Sequence, residues 1–320
     1  MRIRVLSAAD VRTALPMPIA IEAMKSAFSQ FSSGDATVPL RGRLHTDKGV
    51  TLLMPAFLMR SRDLAVKVVS VFGDNPSLGL PTVAGLVLVL DAETGIPQAV
   101  MEGDSLTALR TGAAGGLAAD LLARKDASTA LLFGAGVQGR SQLAAACAVR
   151  PIRRVMVVDP SPKAAARLIE EIHTWPDAPQ ARVAASSAEA VRQADLIMAA
   201  TTATTPVFDG KNVSPGTHIT GVGSFTPEMQ EIDASVIRRA YVVVDGREGV
   251  KAEAGDLIKA GASIDAELGE IINGDKPGRR DDEQITFFKS VGMAAQDAAA
   301  AAAVLTAAEV QGLGTVIDLS

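Results

Sequence analysis

At 320 residues the chain is long enough for two domains, each with its own core. Hydrophobic residues make up 48% and charged residues 21%, the ordinary balance of a globular protein, while aromatics are only 3%, so Ala, Val, Leu and Ile must fill the core. A formal net charge of −5 argues against a nucleic-acid partner, which needs a basic face.

The opening MRIRVLSAAD lacks the apolar run of a signal peptide, and the Ala-rich run from Asp297 to Ala308 is too short and too weakly apolar to span a bilayer. We therefore expect a cytoplasmic protein with no membrane partner. Ser7 to Asp10 reads as a capping box that opens a first helix. Pro16 to Phe31 carries a helical stripe of Ala20, Met24, Ala27, Phe28 and Phe31. From Val38 the period changes. VTLLMPAF, LAVKVVSVF and TVAGLVLVL are short β-branched runs, and DAETG from Asp91 to Gly95 is a hairpin turn. The first hundred or so residues thus predict a mostly antiparallel sheet with a helix or two. Glu102 to Lys125 is Ala- and Leu-rich and predicts a connecting helix.

After Ser128 strands and helical patterns alternate: TALLF, VMVVD, DLIMAA, THITGV, AYVVVD and ITFF are the strands. That rhythm implies a doubly wound α/β domain with a parallel sheet covered on both faces. The single Cys147, in LAAACAV, can close no internal disulfide and build no cysteine metal cluster, and reads as core filler. A last helix, Met293 to Ala308, and the tail GTVIDLS follow the final strand and can return to the first domain.

The strongest local signal is TALLFGAGVQGRSQL, where Gly134, Gly136 and Gly139 form GxGxxG between an apolar strand and an amphipathic helix. Each glycine then has a use: a tight turn, backbone approach to a pyrophosphate, and close helix packing. The helix start offers free N–H groups to phosphate. Asp159 ends the next strand, 20 residues past Gly139, where a carboxylate accepts hydrogen bonds from an adenine-ribose. A carboxylate there repels a 2′-phosphate, so NAD(H) is expected, with NADP(H) as the alternative.

Lys67 sits inside the apolar strand LAVKVVSVF, which costs several kcal/mol unless the charge is paired or solvated. It is either an edge-strand lysine facing water or a lysine facing a cleft. Arg110, in SLTALRTGAAGG, is either an ordinary helix-surface arginine or a bidentate carboxylate anchor. Arg41 and Arg43, in VPLRGRL, share one face of an expected strand, and either can be a second anchor. With three histidines and neither HExxH nor GxSxG, no metal site and no serine-hydrolase chemistry are expected.

Together LLMPAF, VKVVSVF, GLPTVAGLVLVLDAETGIPQAVMEG, LTALRTGAAGG, GAGVQGR and TFFKSVGMAAQDAAAA resemble the ornithine cyclodeaminase/mu-crystallin family over nearly the whole chain. The resemblance implies a discontinuous substrate-binding and dimerisation domain (residues 1–124 and 293–320) around a Rossmann dinucleotide-binding domain (residues 125–292), assembled as a homodimer. It implies roles for Arg41, Lys67 and Arg110 toward a substrate carboxylate and the reacting group, Arg41 being preferred to Arg43 for its spacing to Met54 and Pro55. It also places Thr82, Thr111, Gln138, Asp159, Thr201, Lys289 and Ser290 at positions that shape the cofactor cleft. Ornithine cyclodeaminases of this family carry an Asp in the loop after the fifth Rossmann strand; here the loop is GVGSFTPEMQEID and Ser224 stands in that place. The GSFTP form is similar to the family's Δ1-pyrroline-2-carboxylate reductases. The implied activity is reduction of this cyclic imino acid, or its six-membered Δ1-piperideine homologue, with Lys67 and Ser224 at the reacting centre. The alternatives are an ornithine cyclodeaminase, an alanine dehydrogenase-like oxidoreductase, and a crystallin-like binding protein.

Overall fold

A computed structural model describes all residues, 1–320. In chain order, β1 (Arg2–Leu6), α1 (Ala8–Ala14) and α2 (Met17–Ser32) precede β2 (Ala36–Thr37), β3 (Gly42–His45), β4 (Val50–Leu58), β5 (Asp63–Val71), β6 (Val83–Leu90) and β7 (Pro97–Glu102). Helix α3 (Gly103–Leu122) leads to β8 (Thr129–Phe133), α4 (Val137–Val149), β9 (Arg154–Val158), α5 (Pro162–Ile172), β10 (Gln180–Val183), α6 (Ser187–Gln193), β11 (Leu196–Ala199) and β12 (His218–Gly221). Then come α7 (Ala234–Ile237), β13 (Tyr241–Val244), α8 (Arg247–Glu253), α9 (Gly255–Ala260), β14 (Ala266–Glu267), α10 (Leu268–Ile272), β15 (Thr286–Lys289), α11 (Ala294–Gln311) and β16 (Thr315–Asp318). The chain forms two compact units, Met1–Arg110 with Met293–Ser320, and Thr111–Gly292. The division falls inside α3. No helix is long and apolar enough to cross a membrane.

The discontinuous unit is an eight-stranded sheet in the order β16-β1-β7-β6-β5-β4-β2, with β3 also on β4. Every pairing is antiparallel except β1 with β7. The expected capping box is present: the Ser7 hydroxyl accepts from Asp10 N–H, and the Asp10 carboxylate accepts from Ser7 N–H. Strands β1 and β16 were not expected, because RIRVL and TVID are short segments at the two ends of the sequence. In β4 to β7 one face is buried, carrying Met54, Ala56, Lys67, Val87, Val89 and Met101. Helix α11 packs there on β4, β5 and β6 and on α2. Its run of alanines is buried almost all round, and such small side chains let it lie close to the strands. The opposite face is also apolar: Leu53, Val68 and Leu86 form one cross-strand row and are 45%, 38% and 54% exposed.

The second unit has the expected doubly wound architecture. Eight strands, all parallel, run in the order β10-β9-β8-β11-β12-β15-β13-β14. Buried aliphatic clusters cover both faces of the sheet. The order reverses between β8 and β11, which makes the switch point where open α/β sheets bind ligands beyond their strand ends. Cys147, on α4, packs against one of these clusters, and burial pushes its thiol up to about 11, so it stays protonated and inert.

Candidate active site

In the discontinuous unit the lone charge of β5 finds its partner on α11. Lys67 is 3% exposed, and its Nζ lies 2.7 Å from Asp297 Oδ2. Strand β5 is central, flanked by β4 and β6, so Lys67 is not an edge-strand lysine facing water. Arg110 reaches the same carboxylate: its Nε donates to Asp297 Oδ1 at 3.0 Å and its NH1 to Gln296 Oε1 at 3.1 Å. Gln296 is held in turn by Met293 N–H at 2.9 Å. Asp297 is therefore a buried carboxylate shared by two cations. Burial by itself raises its pKa, but the Lys67 and Arg110 charges outweigh that and hold it below the usual range. For Lys67, burial and the Arg110 and Arg41 charges outweigh the pull of Asp297 and lower it to about 8. An ammonium with that pKa can give up a proton near neutral pH and regain it. Two cations with one anion also leave the cluster net positive, as a carboxylate ligand requires.

Arg41 and Arg43 do not share a strand. Arg41 precedes β3 and is half-buried, while Arg43 lies on β3 and is exposed. The Arg41 charge acts on Lys67. Thr82 is exposed just before β6, its carbonyl accepting from Phe72 N–H at 2.9 Å.

In the doubly wound unit the glycine loop joins β8 to α4 as its spacing predicts. Gly134 has φ +94°, and a Cβ there would lie 2.4 Å from Ala200 O. A Cβ on Gly139 would lie 1.9 Å from Gly134 O, so α4 approaches the turn as closely as backbone allows. Gly136 is the opposite case: nothing lies within 4 Å of its missing side chain, and as N-cap of α4 it supplies no side-chain hydrogen bond to the first turn. That open, uncapped helix start is a cradle for an anion. The Gln138 side-chain oxygen, in the same turn, is buried without a hydrogen-bond partner, an acceptor suited to a ligand hydroxyl. Asp159 braces the loop, accepting from Ala135 N–H and Ser161 N–H at 2.7 Å each, and its remaining lone pairs can take ribose hydroxyls. Thr111 is buried, its carbonyl accepting from Gln142 Nε2 at 2.8 Å. Thr201 follows β11 and its hydroxyl accepts from Ala203 N–H at 3.2 Å. A dinucleotide fits this set of groups.

Three of the expected site residues have their polar atoms engaged within the doubly wound unit. The Ser224 hydroxyl has no exposure; it donates to Met229 O and accepts from Asp256 N–H, both at 3.1 Å. It fastens its own loop. The Lys289 ammonium, expected at the cofactor cleft, is fully buried 3.2 Å from Asp256 Oδ2. Ser290 likewise turns inward, donating to Asp245 Oδ2 at 2.7 Å. Asp297, Gln296, Glu231 and Asp256 were missed.

Comparison with known proteins matches residues 1–311 to the ornithine cyclodeaminase/mu-crystallin family. The chain belongs to that family. It is 39% identical to Δ1-pyrroline-2-carboxylate reductase of Bacillus cereus, over 98% of this chain and 99% of the relative. Among solved structures of similar proteins, Δ1-pyrroline-2-carboxylate reductase of Thermococcus litoralis, in complex with NADH and L-proline, superposes with TM-score 0.92 at 41% identity. It covers 98% of this chain and 99% of its own. An archaeal alanine dehydrogenase dimer with bound NAD gives TM-score 0.93 at 35% identity, with both chains fully covered. The family likeness thus spans both units.

Proposed function

We propose that this protein reduces the C=N bond of Δ1-pyrroline-2-carboxylate to give L-proline, using NAD(H) in preference to NADP(H), in the cytoplasm. The observation that carries the reading is the buried Lys67–Asp297–Arg110 cluster. With Nε and NH1 held by α11, Arg110 keeps NH2 for the substrate carboxylate, and Arg41 adds a second cation. Lys67, pinned by Asp297, stands as proton donor to the ring nitrogen. The bound nicotinamide supplies the hydride that C2 accepts, so one hydride and one proton convert imine to amine. Fixing the carboxylate and the nitrogen together orients C2, which accounts for much of the rate. Oxidising ornithine is less well supported, because the Asp that the family's ornithine cyclodeaminases carry in this loop is replaced here by the buried Ser224. Six-membered Δ1-piperideine-2-carboxylate presents the same carboxylate and imine to the same groups.

One set of assays tests this. Pyrroline-2-carboxylate should drive NADH oxidation, several-fold faster than NADPH oxidation, because repulsion between Asp159 and a 2′-phosphate costs on the order of 1–3 kcal/mol. Ornithine should release ammonia only at background. Rapid ammonia release with catalytic NAD and no net reduction would sink the reductase reading, and a tenfold preference for NADPH would sink that of Asp159.

The outward sheet face fits a second copy of the chain. Leu53, Val68 and Leu86 expose a contiguous apolar row, the kind of surface that a subunit interface covers. The archaeal alanine dehydrogenase with the same architecture is a dimer. Light scattering should give a dimer for the native chain and a monomer for Val68→Lys; a monomeric native chain at micromolar concentration would refute the assignment.

A further inference from the structure

Three charged side chains without exposure lie together in the doubly wound unit: Glu231, Asp256 and Lys289. None belongs to the glycine loop. Glu231 Oε1 accepts from Thr201 N–H, just past β11. Its Oε2 accepts from Gly223 N–H at 2.6 Å and from Ser224 N–H at 3.1 Å, just past β12. The backbone N–H groups of Glu231 and Ile232 donate to Asp256 Oδ1 at 2.7 and 2.9 Å. Asp256 Oδ2 then faces the Lys289 ammonium, at the end of β15, at 3.2 Å. One carboxylate thus ties two neighbouring loops at the carboxyl edge of the sheet, and the second ties it to a third strand.

Burying two carboxylates against one ammonium is expensive, and a core of this size needs no such network for packing. Burial raises the Glu231 pKa, opposed by the Lys289 charge and the bond from Thr201. The position of the strap is informative. With the glycine loop on β8 and Asp159 after β9, the adenine half of a dinucleotide belongs to the β8-β9-β10 side of the switch point. The loops after β11 and β12 are then left for the nicotinamide half.

We propose that Glu231 is a positioning residue for the nicotinamide half of the dinucleotide, holding the loops after β11 and β12 in the one arrangement that receives the ring. The inference rests on the dinucleotide reading above. Glu231→Gln keeps the size of the side chain but sets an amide NH2 against backbone N–H groups, so at least one of the three bonds is lost. ADP-ribose, which lacks the nicotinamide, separates a local effect from general damage. Titration should show NADH binding weakened about tenfold or more in Glu231→Gln and ADP-ribose binding changed less than about twofold, with kcat for the imino acid falling more than its KM. Equal loss for both ligands, or none for NADH, overturns the proposal. If the Gln variant does not fold, Glu231→Asp carries the same test: the charge stays, but the oxygens retreat by one methylene from the loop N–H groups. A native protein that binds neither ligand overturns the dinucleotide reading, and this inference with it.

Discussion

Asp297→Asn should shift the alkaline limb of kcat/KM for the imino acid to lower pH by more than about one unit and cut activity at pH 7.5 by roughly threefold or more. The native limb is expected near the Lys67 value of about 8, since activity requires the protonated amine and falls as pH rises through it. Asp297 is the only carboxylate bonded to that amine among the causes of its shift; Arg110, Arg41 and burial all push the other way. Without the carboxylate, Lys67 deprotonates earlier and has no proton to give at neutral pH. Lys67→Met should remove the limb together with most of the activity. A pH profile in Asp297→Asn that superimposes on the native one would assign the limb to another group.

Arg110→Ala should lower kcat/KM for the imino acid by roughly 10²-fold or more, mainly through KM, while NADH affinity changes little. The variant removes the group presented to the substrate carboxylate and also strips Asp297 of one of its two cations. Arg110→Lys should rescue poorly. A single ammonium cannot bond Asp297 and Gln296 and still offer a third donor in the fixed geometry of a guanidinium fork. Equal losses for NADH and imino acid would place Arg110 on the dinucleotide instead.

What sequence reasoning could see divides along physical lines. Parallel strands buried on both faces write themselves as short apolar runs, so β8, β9, β11, β12, β13 and β15 were legible, while the polar edge strand β10 and the two-residue β14 were not. Lys67 was conspicuous because its neighbours are all apolar. Its counter-charge was not, since an acidic residue in the first turn of a helix is ordinary and favourable without any partner. Glu231 and Asp256 lie among loop polar residues, where a buried carboxylate and a solvated one have the same sequence. For Ser224, likewise, position in a loop identifies the residue but not the direction its hydroxyl takes. Arg41 and Arg43 were placed on one strand because the alternation of VPLRGRL extends further than β3 does.

The chain distance between Arg110 and Asp297, 187 residues, sets the order in which the protein can be completed on the ribosome. Synthesis delivers Lys67 and Arg110 early and their shared anion only after the whole doubly wound unit has emerged. That unit is contiguous from Thr111 to Gly292 and can close while translation continues. The sheet of β4 to β7 meanwhile has neither the alanine helix over its inner face nor an anion for its lysine. A chain cut short before α11 would lack Asp297, leaving Lys67 and Arg110 without the anion they share.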